Sequence, residues 1–353
     1  MVIHGADIYQ FDKQVIDFSS NKNPYKYPEI FDKYILNGIK NVNIYPDIQN
    51  RSLRKNISYY INYMYDREFD IDNVLPGNGS VELLDAIIFN YENIIIFNPA
   101  FSEYTLIAKK YNKNIIELDY IIDDNVGFPF EDIDKLDISN SLFIINSPNN
   151  PTGKSILPKS INELLKIVKN KNSKILLDEA FIENSNLESV LNYLNDLDDI
   201  YVLRAFTKTF SLPGLRLGYV ISESDNILDI KKNILPWSVN SFATAFSEVL
   251  KNRELVLEYL EKSNNYIDEV KKFTFSFLKN CRDISYSKSD TIFFLIESSN
   301  KDDLIKFLLH NEIYVRDCES YKNLSKNSIR LAIRDMKDMK YLKIIIEKWE
   351  SLC

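Results

Sequence analysis

Six short apolar runs punctuate the first two-thirds of the chain: IIIFN (94–98), NIIEL (114–118), LFIIN (142–146), KILLD (174–178), IYVLR (200–204) and LGYVI (217–221). Stretches of helical period separate several of them, such as SVELLDAIIFNYE from position 80 and SINELLKIVKN from position 160. Apolar strands alternating with helices predict a three-layer α/β/α unit around a mostly parallel sheet covered on both faces. In such sheets ligands collect at the carboxyl ends of the strands, where loops are free to carry chemistry. From about 238 the pattern changes. A long helical stretch runs through NSFATAFSEVLKN and ELVLEYLEKSNNYIDEVKKF, followed by strand-like TIFFLIE and IRLAIRD and helix-like DDLIKFLLHNE and MKYLKIIIEKW. The expected division is an N-terminal arm (1–40) packing with a small α+β domain, a large domain (41–237), and an interdomain helix with the small domain (238–353).

The 353 residues exceed what one hydrophobic core usually serves, which agrees with two subdomains. With 43 basic against 51 acidic residues the net charge is −8, which argues against a general nucleic-acid binder. The first residues, MVIHGADIYQF, lack a basic region followed by an apolar run, and no stretch reaches 18 uninterrupted apolar residues. Neither export nor membrane spanning is predicted, and a cytoplasmic location is expected. Cys281, Cys318 and Cys353 are too far apart for a metal pattern or a disulfide framework. With His4 and His310 the only histidines, neither a metal site nor a Ser-His-Asp triad is expected.

Glycine placement narrows the chemistry. Five of the eight glycines fall in three short loops: LPGNGS around Gly77 and Gly79, NNPTG around Gly153, and PGLRLG around Gly214 and Gly218. Glycine allows positive φ and close backbone approach to a ligand. GNGS opens a predicted helix, whose free N–H groups favour a phosphate, although a plain N-cap by Ser80 explains the motif as well. Asp178 ends a strand, where it either pairs with a protonated ring nitrogen or caps the next segment. Lys208 follows another strand, with Arg216 eight positions on. A lysine traps carbonyls when it is desolvated or set beside cations, and is otherwise solvated surface.

The order NNPTG, LDEAF (177–181), TKTF…PGLRLG, joined by DFSSNKNP (17–24), YPD (45–47) and IRLAIR (329–334), resembles the class I/II aminotransferase family of fold type I pyridoxal-phosphate (PLP) enzymes. The resemblance spans nearly the whole chain. It implies that Lys208 holds PLP as a Schiff base and shuttles the proton at the substrate Cα. Asp178 would hold the pyridinium N–H, keeping the ring an electron sink. Asn150 would bond the phenolic oxygen, and Phe101 would stack on the ring. Backbone groups of Gly79, Ser80 and Val81 would cradle the phosphate, with Arg216 as its charged partner. Tyr45 would reach that phosphate from a neighbouring subunit, since the family builds its sites at a homodimer interface. Arg330 would clamp the substrate α-carboxylate with a bidentate fork. Phe181 and Ala205 stand where many relatives carry a tyrosine and a Ser or Thr, and Thr207 offers a hydroxyl instead.

Within the family, HGADIY (4–9), NPAFSEY, LDEAFIE, VLRAFTK and PWSVN (236–240) look like the threonine-phosphate decarboxylase branch, beside histidinol-phosphate aminotransferases. That implies decarboxylation of L-threonine O-3-phosphate to (R)-1-amino-2-propanol O-2-phosphate in cobalamin biosynthesis, with transamination as the alternative. HGAD departs from the branch's usual HGGN, at the place where His4 is expected to touch substrate. The substrate phosphate is assigned to a pocket drawing on His4, Asn23, Lys22, Arg316 or Arg334. Arg334 lies four residues after Arg330 on an alternating strand, hence on the same face, unless an acidic neighbour takes it.

Overall fold

The computed structural model describes residues 5–123 and 125–352, so His4 lies outside the described residues. In chain order, β1 (Ile16–Asp17) belongs to the arm, and β2 (Val74–Asn78), β3 (Asn93–Asn98) and β4 (Asn114–Asp119) enter the main sheet. After a small hairpin of β5 (Ile121–Ile122) and β6 (Val126–Gly127), the sheet is completed by β7 (Ser141–Asn146), β8 (Lys174–Asp178), β9 (Ile200–Ala205) and β10 (Leu217–Ile221). The order across its seven strands is β2-β10-β9-β8-β7-β3-β4. Strands β9 to β4 run parallel, and β10 is antiparallel to both of its neighbours. All six apolar runs are strands of this sheet. The seventh, β2, contains Pro76 and Gly77, which hide it in the sequence; it lies at the edge, where a missing N–H costs no ladder bond.

Both faces are buried, as the apolar runs require. Ile95, Phe97, Phe143, Ile145, Ile175, Leu177 and Val202 point into one core, and Ile94, Ile96, Leu142, Ile144, Leu176 and Leu203 into the other. The helix Pro158–Asn170 covers the first face, and the helices Ser80–Phe89 and Ser102–Lys110 cover the second.

The smaller sheet, in the order β11-β12-β15-β14, is antiparallel and comprises β11 (Ile284–Tyr286), β12 (Phe293–Ser298), β14 (Arg316–Asp317) and β15 (Ser328–Ala332). Between them, β13 (Ile313–Tyr314) pairs in parallel with β1 of the arm. The arm also seats Phe18 in the core of this sheet, while Phe31 packs into the core of the large one. The helix Arg253–Leu278 joins the two cores: Val256, Tyr259 and Leu260 lie in the first, and Val270, Phe277 and Leu278 in the second. The passage between cores therefore falls inside this helix, beyond residue 260.

Candidate active site

The parallel strands bring the ends of β3, β7, β8 and β9 to one edge of the sheet, and the antiparallel β10 brings its first residues to that same edge. Loops from these ends, with β15 and the arm, enclose a cavity of about 260 Å³. Its wall includes Ser80, Val81, Phe101, Tyr104, Asn150, Asp178, Phe181, Thr207, Lys208, Arg216 and Arg330, and from the arm Ser19, Ser20 and Asn21.

Lys208 sits in the short helix Phe206–Thr209 that follows β9, with its ammonium 5.6 Å from the centre of the Phe181 ring. Burial, then the nearby Arg330 and Arg216 cations, push its pKa down from 10.5 to about 8, while the Asp178 carboxylate pulls the other way. Asp178 ends β8. Its Oδ2 accepts from the Tyr104 hydroxyl at 2.8 Å and its Oδ1 from the Ala180 N–H at 3.0 Å. Burial still raises its pKa against those two donors, so this carboxylate gains from any cation placed beside it.

Arg330, on β15, reaches the cavity from the smaller sheet. Its Nη1 donates to Asn150 Oδ1 at 2.5 Å and its Nη2 to the Ser19 carbonyl at 2.7 Å. Its Nε is buried without a partner. Because the Asn150 oxygen is engaged, the free group of that amide is its Nδ2, a donor suited to an oxygen in the cavity.

The phosphate-type cradle is made from backbone. Gly79 has φ +80° and is the N-cap of the helix Ser80–Phe89, with no side-chain cap bond. This corrects the plain N-cap reading: Ser80 is the first helical residue, and Ser80 and Val81, in the first turn, line the cavity. A Cβ on Gly79 would lie 2.3 Å from Arg216 Nη2, and one on Gly218 would lie 2.4 Å from the Ser80 nitrogen. Glycine at both positions lets the helix start, β10 and the guanidinium converge on one point. An anion there meets a helix N-terminus and a charge-assisted donor together.

Residues 13–345 match the family described as aminotransferase class I and II. The chain belongs to that family. As a class I/II aminotransferase-family enzyme it is PLP-dependent. A protein of Caldanaerobacter subterraneus subsp. tengcongensis, provisionally named a threonine-phosphate decarboxylase, is 34% identical over 95% of this chain and 90% of its own length. The adenosylcobalamin biosynthesis bifunctional protein CobDQ of Leptospira interrogans is 29% identical over 96% of this chain and 40% of its own. The histidinol-phosphate aminotransferase of Clostridium acetobutylicum superposes with a TM-score of 0.84 at 30% identity, covering 95% of this chain and 99% of that one.

The cavity of this class I/II enzyme fits the cofactor by its donor set: a phosphate cradle, a buried carboxylate and a depressed lysine share one wall. Not every residue picked from sequence lies there. Asn23 is buried, and its Nδ2 donates to the Thr209 carbonyl at 2.9 Å, the Ser263 hydroxyl at 2.6 Å and the Tyr259 hydroxyl at 3.2 Å. Its Oδ1 accepts from the Tyr25 N–H, and neither N–H of the amide is left to donate to a substrate anion. Arg334 is a second correction. Strand β15 stops at Ala332, and Arg334 pairs with Asp338 at 3.0 Å instead of sharing a face with Arg330. Arg316 is the cross-strand neighbour of Arg330, but lines a separate cavity with Tyr321 and Lys322. Tyr45 is 80% exposed, its ring 5.1 Å from that of Trp237, and does not reach the cavity of its own chain. Sequence reasoning missed Tyr104, whose bond to Asp178 spans 74 residues, and the cavity-facing Asn21, whose Oδ1 is buried without a partner.

The depressed lysine gives a pH signature. Capture of added PLP by the apoprotein, followed by visible absorbance, is expected to rise through about pH 8; a midpoint near 10.5 would contradict the site geometry. The same shift has a sign in stability. The ammonium form is penalised in the fold below about pH 8, and the penalty is relieved between about 8 and 10.5, so this group adds apoprotein stability as pH rises through that window.

Proposed function

We propose that the enzyme decarboxylates L-threonine O-3-phosphate to (R)-1-amino-2-propanol O-2-phosphate, a step in cobalamin biosynthesis, in the cytoplasm. The observation that carries this reading is the identity of a third, over nearly the full chain, to the relative provisionally named for that activity. The CobDQ relative supports the pathway. When bound, PLP supplies an electron sink for the bond at the substrate Cα that stands perpendicular to its ring. The chain's own residues then decide the outcome. Asp178 would hold the ring nitrogen, Asn150 Nδ2 and Phe101 would contact the ring, and the Gly79–Val81 turn with Arg216 would hold the phosphate. Thr207 and Phe181 close the floor beside Lys208. Arg330 would orient the substrate carboxylate, and Lys208 would move a proton at Cα.

The enzyme works as a homodimer in this reading. Leu36, Ile39, Val42, Ile44 and Tyr45, each more than half exposed, form with Trp237 an apolar surface suited to a second copy, which would carry Tyr45 to the neighbouring phosphate. In this reading the arm (1–40) contributes to the substrate side, residues 41–237 hold the cofactor, and residues 238–353 supply the interdomain helix and the small domain. Transamination of histidinol phosphate is the second reading, favoured by the likeness to the C. acetobutylicum enzyme. Incubating the holoenzyme with threonine phosphate, without an oxo-acid acceptor, separates them. Stoichiometric CO₂ is expected; no CO₂, with glutamate-dependent amino transfer to the histidinol-phosphate oxo product, overturns the first reading.

A further inference from the structure

Behind the cavity floor lies a buried ionic cluster that the proposed chemistry does not use. Arg204, on β9, is fully buried. Its Nη2 reaches Glu179 Oε2 at 2.6 Å and the Ser189 hydroxyl at 2.7 Å; its Nη1 reaches Glu183 Oε1 at 2.6 Å and the Tyr65 hydroxyl at 2.8 Å. Both carboxylates are tied down further. Glu179 accepts from the Ser189 hydroxyl at 2.9 Å and the Val190 N–H at 3.0 Å. Glu183 Oε2 accepts from the Thr209 hydroxyl at 3.3 Å, and its Oε1 lies 3.4 Å from the Tyr60 hydroxyl.

The placement of these groups along the chain is the informative part. Glu179 follows Asp178 directly, so one backbone position sets both carboxylates, one facing the cavity and the other facing Arg204. Glu183 ends the same turn, which also carries Phe181. Arg204 lies four residues before Lys208, and Thr209 is the residue after it. One guanidinium therefore grips both ends of the turn 179–183 that directly follows Asp178, while Glu183 reaches the short helix bearing Lys208.

We propose that Arg204, with Glu179 and Glu183, is a positioning clasp that sets the separation of the Asp178 carboxylate from the Lys208 amine, and so the seat of the PLP ring. Its action is geometric: the charges that shift Lys208 are Arg330, Arg216 and Asp178, none of them in the clasp. An ordinary scaffold role would need only that the fold persist. Arginine is required because its planar fork meets two carboxylates at once, which a lysine point charge does not.

The inference rests on the PLP-dependent site, and the test keeps the two apart. Thr209→Val removes the Glu183 link to the lysine helix together with the hydroxyl's 3.4 Å contact to the Ala205 carbonyl, and Glu183→Gln loosens one arm while keeping its volume; Arg204→Lys is the harsher companion. Apoprotein melting, visible circular dichroism of bound PLP, kcat and KM are measured for each. In Thr209→Val and Glu183→Gln the melting midpoint should stay within about 4 °C of the wild type. Their cofactor dichroism should change in sign or at least halve, with kcat down about tenfold or more and KM within about twofold. Arg204→Lys, where it folds, should show the same pattern more strongly. If Thr209→Val and Glu183→Gln keep both dichroism and kcat within about twofold of the wild type, the clasp is scaffold only and the proposal falls. Should Glu183→Gln fail to fold, Thr209→Val alone decides. Absence of cofactor dichroism in the wild type would instead count against the PLP site itself.

Discussion

Lys208→Ala is expected to lower kcat/KM by roughly 10⁴-fold or more, since it removes a nucleophilic attachment point and a proton carrier worth about 10²–10⁴ by itself. The fold should survive the change. Burial penalises the Lys208 ammonium, and the side chain borders a cavity rather than filling a packed core, so truncation removes an unfavourable charge without opening a new void. Apoprotein melting at pH 7 should therefore be unchanged or slightly higher. Steady-state kinetics with a saturating supply of PLP, beside a melting curve, measure both effects. A variant that melts normally and retains a tenth or more of the wild-type kcat/KM would remove Lys208 from the chemistry.

The second large effect belongs to Arg330. Removing one partner of a buried, hydrogen-bonded charge costs about 2–5 kcal/mol, which is roughly 30- to several-thousand-fold in kcat/KM. Arg330→Met loses the substrate clamp and also leaves Asn150 Oδ1 and the Ser19 carbonyl without their donor. Arg330→Lys keeps the charge but cannot hold both acceptors, so its loss should be about 10²-fold. Arg330→Met carries a separate electrostatic signature. Arg330 is the first of the two cations depressing Lys208, so its neutralisation should move the midpoint for PLP capture upward from about pH 8. An unmoved midpoint would contradict the placement of the Arg330 charge beside Lys208.

Lys208 is readable because it follows an apolar strand and stands in the motif TKTF…PGLRLG, whose Gly218 packs against the start of a helix. The main sheet is readable because six of its strands are apolar runs, five of them buried on both faces and β4 half-exposed at the edge. Strand β2 was hidden because Pro76 and Gly77 are tolerated at an edge, where propensity is least informative. Arg334 was misplaced because alternation holds only while the strand lasts. Asp335 ends it by capping the last helix, its Oδ1 accepting from the Asp338 N–H at 2.9 Å. Asn23 was misassigned because a polar residue in the arm says nothing of what folds against it. Its partners Thr209, Tyr259 and Ser263 lie about two hundred residues away. Tyr104 and the Ser19 carbonyl escaped notice for the same physical reason. One signal was present and went unread: Arg204 stands inside the buried run IYVLRA, and an arginine there demands paired carboxylates.

The most direct measurement is borohydride reduction of the purified holoenzyme, followed by proteolysis and mass spectrometry of the pyridoxyl-bearing peptide. The adduct is expected on Lys208, in near-stoichiometric yield, and absent from Lys208→Ala. A pyridoxyl group carried predominantly by another lysine, or none in protein that binds PLP, would contradict the account at its centre.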